Sequence, residues 1–187
     1  SHRDRLAHIT GVRDPRSPAT PFELVATTEQ PALIGEGAGF QAFAVRWAAF
    51  GDVHGEGLLL VPTSRAPVAH VVAIPDASQT PEQIAGLAPG VEAESQFARR
   101  LAESGCRVLV PALINREIKI HGREGWREYA RQPMSNREFL FRPAFELGRH
   151  LIGYEIQKVL AAVDRFKNAD PAARVGVIGW GDGGLLA

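Results

Sequence analysis

Apolar and polar positions follow one pattern before residue 67 and another after it. Phe22–Thr28 and Phe40–Phe50 have strand character. In the second, Phe40, Ala42 and Ala44 alternate with Gln41, Phe43 and Val45, a two-residue period blurred by apolar residues on both faces. Gly51-Asp52 marks a turn, and Gly57–Pro62 reads as a short buried strand, so the pair predicts an antiparallel hairpin. Beyond Pro67 the strands become continuous apolar runs. Val68–Pro75, broken only by His70, and Arg107–Leu113 have the character of strands covered on both faces, and Arg174–Ile178 is the last strand.

Helical signals separate these runs. Thr80 ahead of Pro81 supplies a capping hydroxyl and then a proline at the first helical position. Glu94–Ser104 follows, with Phe97, Ala98 and Leu101 on one face and Gly105 as its stop. Phe145–Phe166 reads as one long helix, with Leu151, Ile152, Ile156, Val159, Leu160 and Val163 at helical spacing. Residues 1–20 carry Pro15, Pro18 and several charges, which predicts a loosely ordered leader ahead of a domain over 21–187. Residues 114–144 are polar and too long for an ordinary connection, and read as an insertion or cap-like region carrying Trp126, Tyr129 and Phe139. An antiparallel start followed by strand–helix alternation predicts an α/β sheet.

Composition narrows the function classes. Twenty-one basic residues balance 21 acidic ones, so no long-range field draws the chain to nucleic acid or anionic lipid. No run approaches the roughly 20 apolar residues of a membrane span. The single cysteine, Cys106, excludes an intrachain disulfide and a thiolate metal cluster, and reads as a small buried side chain. His121 and His150 have no partner at a metal-ligand spacing, and no cofactor is implied.

The strongest chemical signal is the closing string Gly179-Trp180-Gly181-Asp182-Gly183-Gly184, which follows a buried strand and opens a helix. Gly179, Gly181 and Gly184 satisfy the G-x-G-x-x-G dinucleotide fingerprint. Equally, Gly179 and Gly183 are the small flanking residues of a G-x-S-x-G nucleophile elbow, with Gly181 where the nucleophile belongs. The string alone fits both. Context favours the elbow, because a dinucleotide fingerprint normally follows the first strand and this turn follows at least four.

Further residues carry a resemblance. Gly148, Arg149, Gly153, Val159, Ala162, Asp164, Asp170, Pro171, Arg174, Val175 and Gly176 occur in the order found ahead of the elbow in α/β-hydrolases of the dienelactone hydrolase and acetyl xylan esterase type. The chain resembles that group closely over 145–187 and loosely from about residue 55. The resemblance implies an incomplete α/β-hydrolase fold, with a mostly parallel sheet, antiparallel N-terminal strands and helices on both faces. It also implies that the acid–histidine pair lies beyond residue 187, in a C-terminal half absent from this chain.

Where that family places Ser, Cys or Asp, Gly181 has no side chain and can attack nothing. Asp182 stands one residue late for a nucleophile, but its backbone N–H is the expected oxyanion-hole donor. The partner donor is expected in the loop at Asp76 and Ala77. The expected function is therefore an esterase-related domain without serine-hydrolase activity that keeps a pocket for a small ester or carbohydrate. Two alternatives stay open: a hydrolase using Asp182 or a residue beyond the chain end, and a dinucleotide-binding module. Lesser candidates are a carboxylate-binding cluster of Arg137, Arg142 and Arg149, an aromatic sugar platform at Trp126 and Tyr129, His54 beside Asp52 in a turn, and His70 inside a strand.

Overall fold

A computed structural model describes residues 1–121 and 133–187. Along the chain the elements are α1 (His2–Thr10), β1 (Glu23–Leu24), β2 (Leu33–Gly37), β3 (Phe40–Phe50), β4 (Val53–Pro62), β5 (His70–Ile74), α2 (Pro81–Ile84), a 3₁₀ turn (Ala93–Ser95), α3 (Phe97–Glu103), β6 (Arg107–Pro111), β7 (Ile118–Ile120), β8 (Pro133–Ser135), α4 (Asn136–Glu146), α5 (Leu151–Ala169), β9 (Val175–Gly179) and α6 (Asp182–Leu186). The main sheet runs β1-β3-β4-β6-β5-β9, with β2 also on β3, and β7 pairs with β8 separately.

The sheet is mixed, which corrects the expectation of a mostly parallel one. Among the described residues, β1, β2 and β4 pair antiparallel with β3, and β4 pairs antiparallel with β6; β5 alone pairs parallel, with β6 and with β9. Connection length explains the division. A two-residue turn at Gly51-Asp52 returns β3 into β4, and Gly51 has φ 47° there. A parallel pair needs a crossover of about a dozen residues or more, which only the stretches bearing α2–α3 and α4–α5 provide.

Helices cover both faces. Val108 and Val110 of β6, with Ala73 of β5, pack beneath Ile84, Ala98 and Ala102 of α2 and α3. Leu109, Val72 and Ile74 face the other way, onto Val159, Ala162 and Phe166 of α5 and Leu186 of α6. This two-sided burial is what makes these strands continuous apolar runs. In β3 the Trp47 indole N–H donates to the Lys158 carbonyl of α5 at 3.0 Å, satisfying the polar end of a side chain that is otherwise buried.

Two local expectations change, and one unexpected strand is added. In place of a loosely ordered leader, His2–Thr10 forms a helix with a capping box from Ser1 and Asp4 and a left-handed cap at Gly11. The following residues are tied to α5 and to the break before it: Arg149 holds the Asp14 carboxylate with both terminal nitrogens, and Arg16 pairs with Asp164 of α5. A Cβ at Gly153 would lie 1.9 Å from the Thr10 carbonyl oxygen, so the two backbones meet there. Next, the long helix expected over Phe145–Phe166 is two helices, broken at Leu147–His150. Gly148 has φ 70°, and the His150 ring Nδ1 accepts the Ile152 N–H at 3.1 Å, starting α5 afresh. Finally, β2 carries no apolar alternation that would reveal it; Leu33-Ile34-Gly35-Glu36-Gly37 is held by its register against β3.

Candidate functional site at the closing turn

β9 enters the sheet beside β5, and both strands end on the same side. Crevices at the carboxyl ends of parallel strands are the usual ligand sites of α/β sheets. Here the two ends meet. After β9 the chain passes Trp180, turns at Gly181 with φ 56° and ψ −124°, and begins α6 at Asp182. Such a backbone is strained for any residue with a side chain.

The spacing of the glycines has a direct steric cause. A Cβ at Gly179 would stand 2.0 Å from the Gly183 carbonyl oxygen, and one at Gly183 would stand 2.2 Å from the Ile74 carbonyl oxygen. Both obstacles are backbone and cannot swing aside. At Gly184 the nearest atom is 3.3 Å away, a contact a small side chain can nearly tolerate. The residues that must be small are therefore those flanking the apex at two-residue distance. A dinucleotide fingerprint needs its third glycine instead, and an early position in the chain; eight described strands precede β9. The geometry gives the dinucleotide reading no support.

Asp76 is the unexpected occupant of this turn. Its Oδ2 accepts the Asp182 backbone N–H at 3.0 Å, while Oδ1 accepts the Ser78 hydroxyl at 2.5 Å and the Ser78 N–H at 2.9 Å. A Cβ at Gly181 would lie 2.0 Å from Asp76 Oδ2. The carboxylate thus fills the volume of any side chain at the apex, and takes the backbone donor expected of an oxyanion hole. The Ser78 hydroxyl, then the Asp182 and Ser78 amides, hold the Asp76 carboxyl below its ordinary pKa, outweighing the opposing effect of burial. Ala77 is fully buried beside it, and its carbonyl accepts the Arg116 N–H at 3.3 Å.

Asp182, the alternative nucleophile, is bound elsewhere. Arg116 donates from Nε at 3.0 Å and from Nη2 at 2.7 and 2.8 Å to its two carboxylate oxygens. Its side chain is 19% exposed and sits in the first turn of α6, as the helix dipole favours. Sequence reasoning had no signal for Arg116, because it lies 66 residues away in a polar stretch. Arg116 and Asp182 border a cavity of about 370 Å³ that also meets Ser135, Glu138, Phe141 and His150. A second cavity, about 380 Å³, lies among Gln79, Glu94, Ser95, Phe97, Ile178 and Trp180. Trp180 is 69% exposed.

The lesser candidates disperse. Arg137 makes a bidentate pair with buried Glu155 at 2.8 and 2.9 Å, Arg142 pairs with Glu138, and Arg149 with Asp14, so no arginine cluster converges. His54 lies at the exposed start of β4, its ring Nδ1 3.0 Å from the Asp52 carbonyl. His70 is buried and stacked on Phe166 at 4.7 Å, and its Nδ1 has no partner among the described residues. Burial, then Arg107, lowers its pKa. Cys106 is buried at the entrance of β6, and burial raises its thiol pKa. Trp126 and Tyr129 lie outside the described residues. Among the described residues no group of three or more His, Cys, Asp or Glu side chains is placed to hold a metal ion. No described helix is long and apolar enough to cross a membrane.

With this geometry the chain was compared with known proteins. Its sequence matches no protein-family model and no curated protein. Among solved structures it superposes on a putative acetyl xylan esterase from Bacteroides fragilis with a TM-score of 0.64 at 18% identity, covering 98% of this chain and 47% of that one. The fold matches roughly half of the α/β-hydrolase fold of such esterases. Acetyl xylan esterases from Paenibacillus sp. R4 and Thermoanaerobacterium sp. JW/SL YS485 each give a TM-score of 0.52, at 15% and 12% identity. Both superpositions cover 98% of this chain, and 52% and 50% of the respective esterases. The chain spans about half the length of the esterases it resembles.

Proposed function

We propose that this chain is the nucleophile-bearing half of an esterase-type domain in which the nucleophile has been replaced by a fixed carboxylate, leaving a fold that binds ligands but does not hydrolyse esters by the serine route. One observation carries the reading: Asp76 Oδ2 lies 2.0 Å from where a Cβ at residue 181 would stand and accepts the Asp182 N–H. The attacking atom and the oxyanion donor are thereby both unavailable. Pairing of Asp182 with Arg116 removes the reason to assign attack to that carboxylate.

The ligand class we read is a small ester or carbohydrate. An exposed indole, an amide, a carboxylate and a hydroxyl around one cavity, at Trp180, Gln79, Glu94 and Ser95, match the apolar face and polar rim of a sugar ring. Further strands of the same domain would continue along β9, where Val177 and Ile178 are 38% and 43% exposed. Any acid–histidine pair would come with them.

The test uses the longest natural form of the protein and a chromogenic acetyl ester together with a serine-reactive fluorophosphonate. The expected result is turnover at background and no label. The Gly181→Ser variant alone also stays unlabelled, because its side chain meets Asp76; Gly181→Ser with Asp76→Ala relieves the clash and takes the label. Hydrolysis by the unaltered protein, abolished by Asp182→Asn, would overturn the proposal in favour of an active enzyme.

A further inference from the structure

Away from the closing turn, α4 and α5 border a cavity of about 290 Å³ whose described lining is mostly apolar and uncharged except at one position. Leu140, Pro143 and Leu147 come from α4 and its end, and Leu151 and Tyr154 from α5; Lys158 is the exception. Lys158 has no carboxylate within 4.0 Å among the described residues. The acid one turn earlier on its own helix, Glu155, is already held by both terminal nitrogens of Arg137. Glu56 of β4 acts on Lys158 only at longer range, and burial lowers the lysine pKa. At the mouth, Leu140 and Leu147 are 41% and 73% exposed. A cation among mostly apolar walls, with its nearest acid engaged, lacks the anion that a partly desolvated charge requires.

We propose that this cavity binds a small amphiphilic carboxylate, its acid group paired to the Lys158 ammonium and its hydrocarbon tail between α4 and α5. The cavity is close to the lower end of the roughly 300–1,000 Å³ usual for small-molecule sites, which suits a medium-length aliphatic or a single-ring aromatic acid. Charge selects the anion, and the walls select the tail. The site is separate from the Asp76 turn, so the inference stands independently of the reading given for that turn.

Calorimetric titration with octanoate tests it, with 1-octanol as the uncharged probe of equal tail length. Octanoate is expected to bind in the millimolar range or tighter, and octanol about tenfold more weakly, the loss of one partly buried charge pair. Lys158→Met lowers octanoate affinity by about tenfold while leaving octanol unchanged, and Lys158→Arg keeps most of it. Ala144→Phe fills the cavity and abolishes binding of both probes, a readout that does not depend on the lysine variants folding well. No octanoate binding to the unaltered protein, equal binding of octanol, or undiminished binding by Lys158→Met would each overturn the proposal.

Discussion

The hairpin side of the sheet and its parallel edge are built on opposite plans. In β3 and β4, ten or more residues per strand pair along their length, and Phe40, Trp47, Leu58 and Leu60 are almost wholly buried. In β9, five residues pair with one neighbour among the described residues, and Val177, Ile178 and, just past the strand, Trp180 remain exposed. Apolar burial, the main favourable term in folding, is concentrated on the first side. The candidate chemistry is on the second, where the turn is fixed by backbone contacts and polar partners instead of by a packed core.

The sharpest way to break that contrast is to remove a large side chain from each side. Trp47→Ala, which empties the space between the hairpin and α5, is expected to cost about 3–5 kcal/mol in urea unfolding. Breaking the Arg137–Glu155 pair by Glu155→Ala strands a buried guanidinium and is expected to cost about 3–5 kcal/mol as well. Gly183→Ala should cost roughly 1–3 kcal/mol, because its Cβ meets the Ile74 carbonyl oxygen and α6 must lift from β5 to admit it. Val177→Ala, at an exposed edge position, should stay within about 0.5 kcal/mol. A cost at Val177 equal to that at Trp47 would mean that the edge is packed as tightly as the hairpin.

The same contrast decides what could be read without coordinates. The hairpin, the Thr80-Pro81 helix start and the β5 and β6 runs follow from local pattern, since burial on one or two faces dictates residue type. The turn was legible as a turn, because Gly179 and Gly183 are the only residue type that fits the backbone approaches there. Its contents were not. Asp76 and Asp182 are 106 residues apart, Arg116 and Asp182 66, and Asp14 and Arg149 135, and no periodicity encodes which carboxylate meets which donor. The antiparallel majority of the sheet was missed for a related reason: apolar runs report two-sided burial and not strand direction, so β6 reads alike beside antiparallel β4 and parallel β5.

Titration of Asp76 sharpens the edge side further. Its folded pKa lies below the unfolded value near 3.8, so its stabilisation is complete above that value and is lost as pH falls through the folded pKa. Asp76→Asn should weaken the bond to the Asp182 amide and flatten that part of the acid limb, at a cost of about 1–2 kcal/mol at neutral pH, less than any of the core changes.

That bond also gives the most direct test of the central claim, through the amide proton shift of Asp182 followed by NMR between neutral pH and pH 2. If the Asp76 carboxylate occupies the apex, the resonance moves with a midpoint below 3.8 in the unaltered protein and the movement disappears in Asp76→Asn. A resonance that stays still across the acid range, or one that moves identically in the variant, would place Asp76 elsewhere and return the turn to an open elbow.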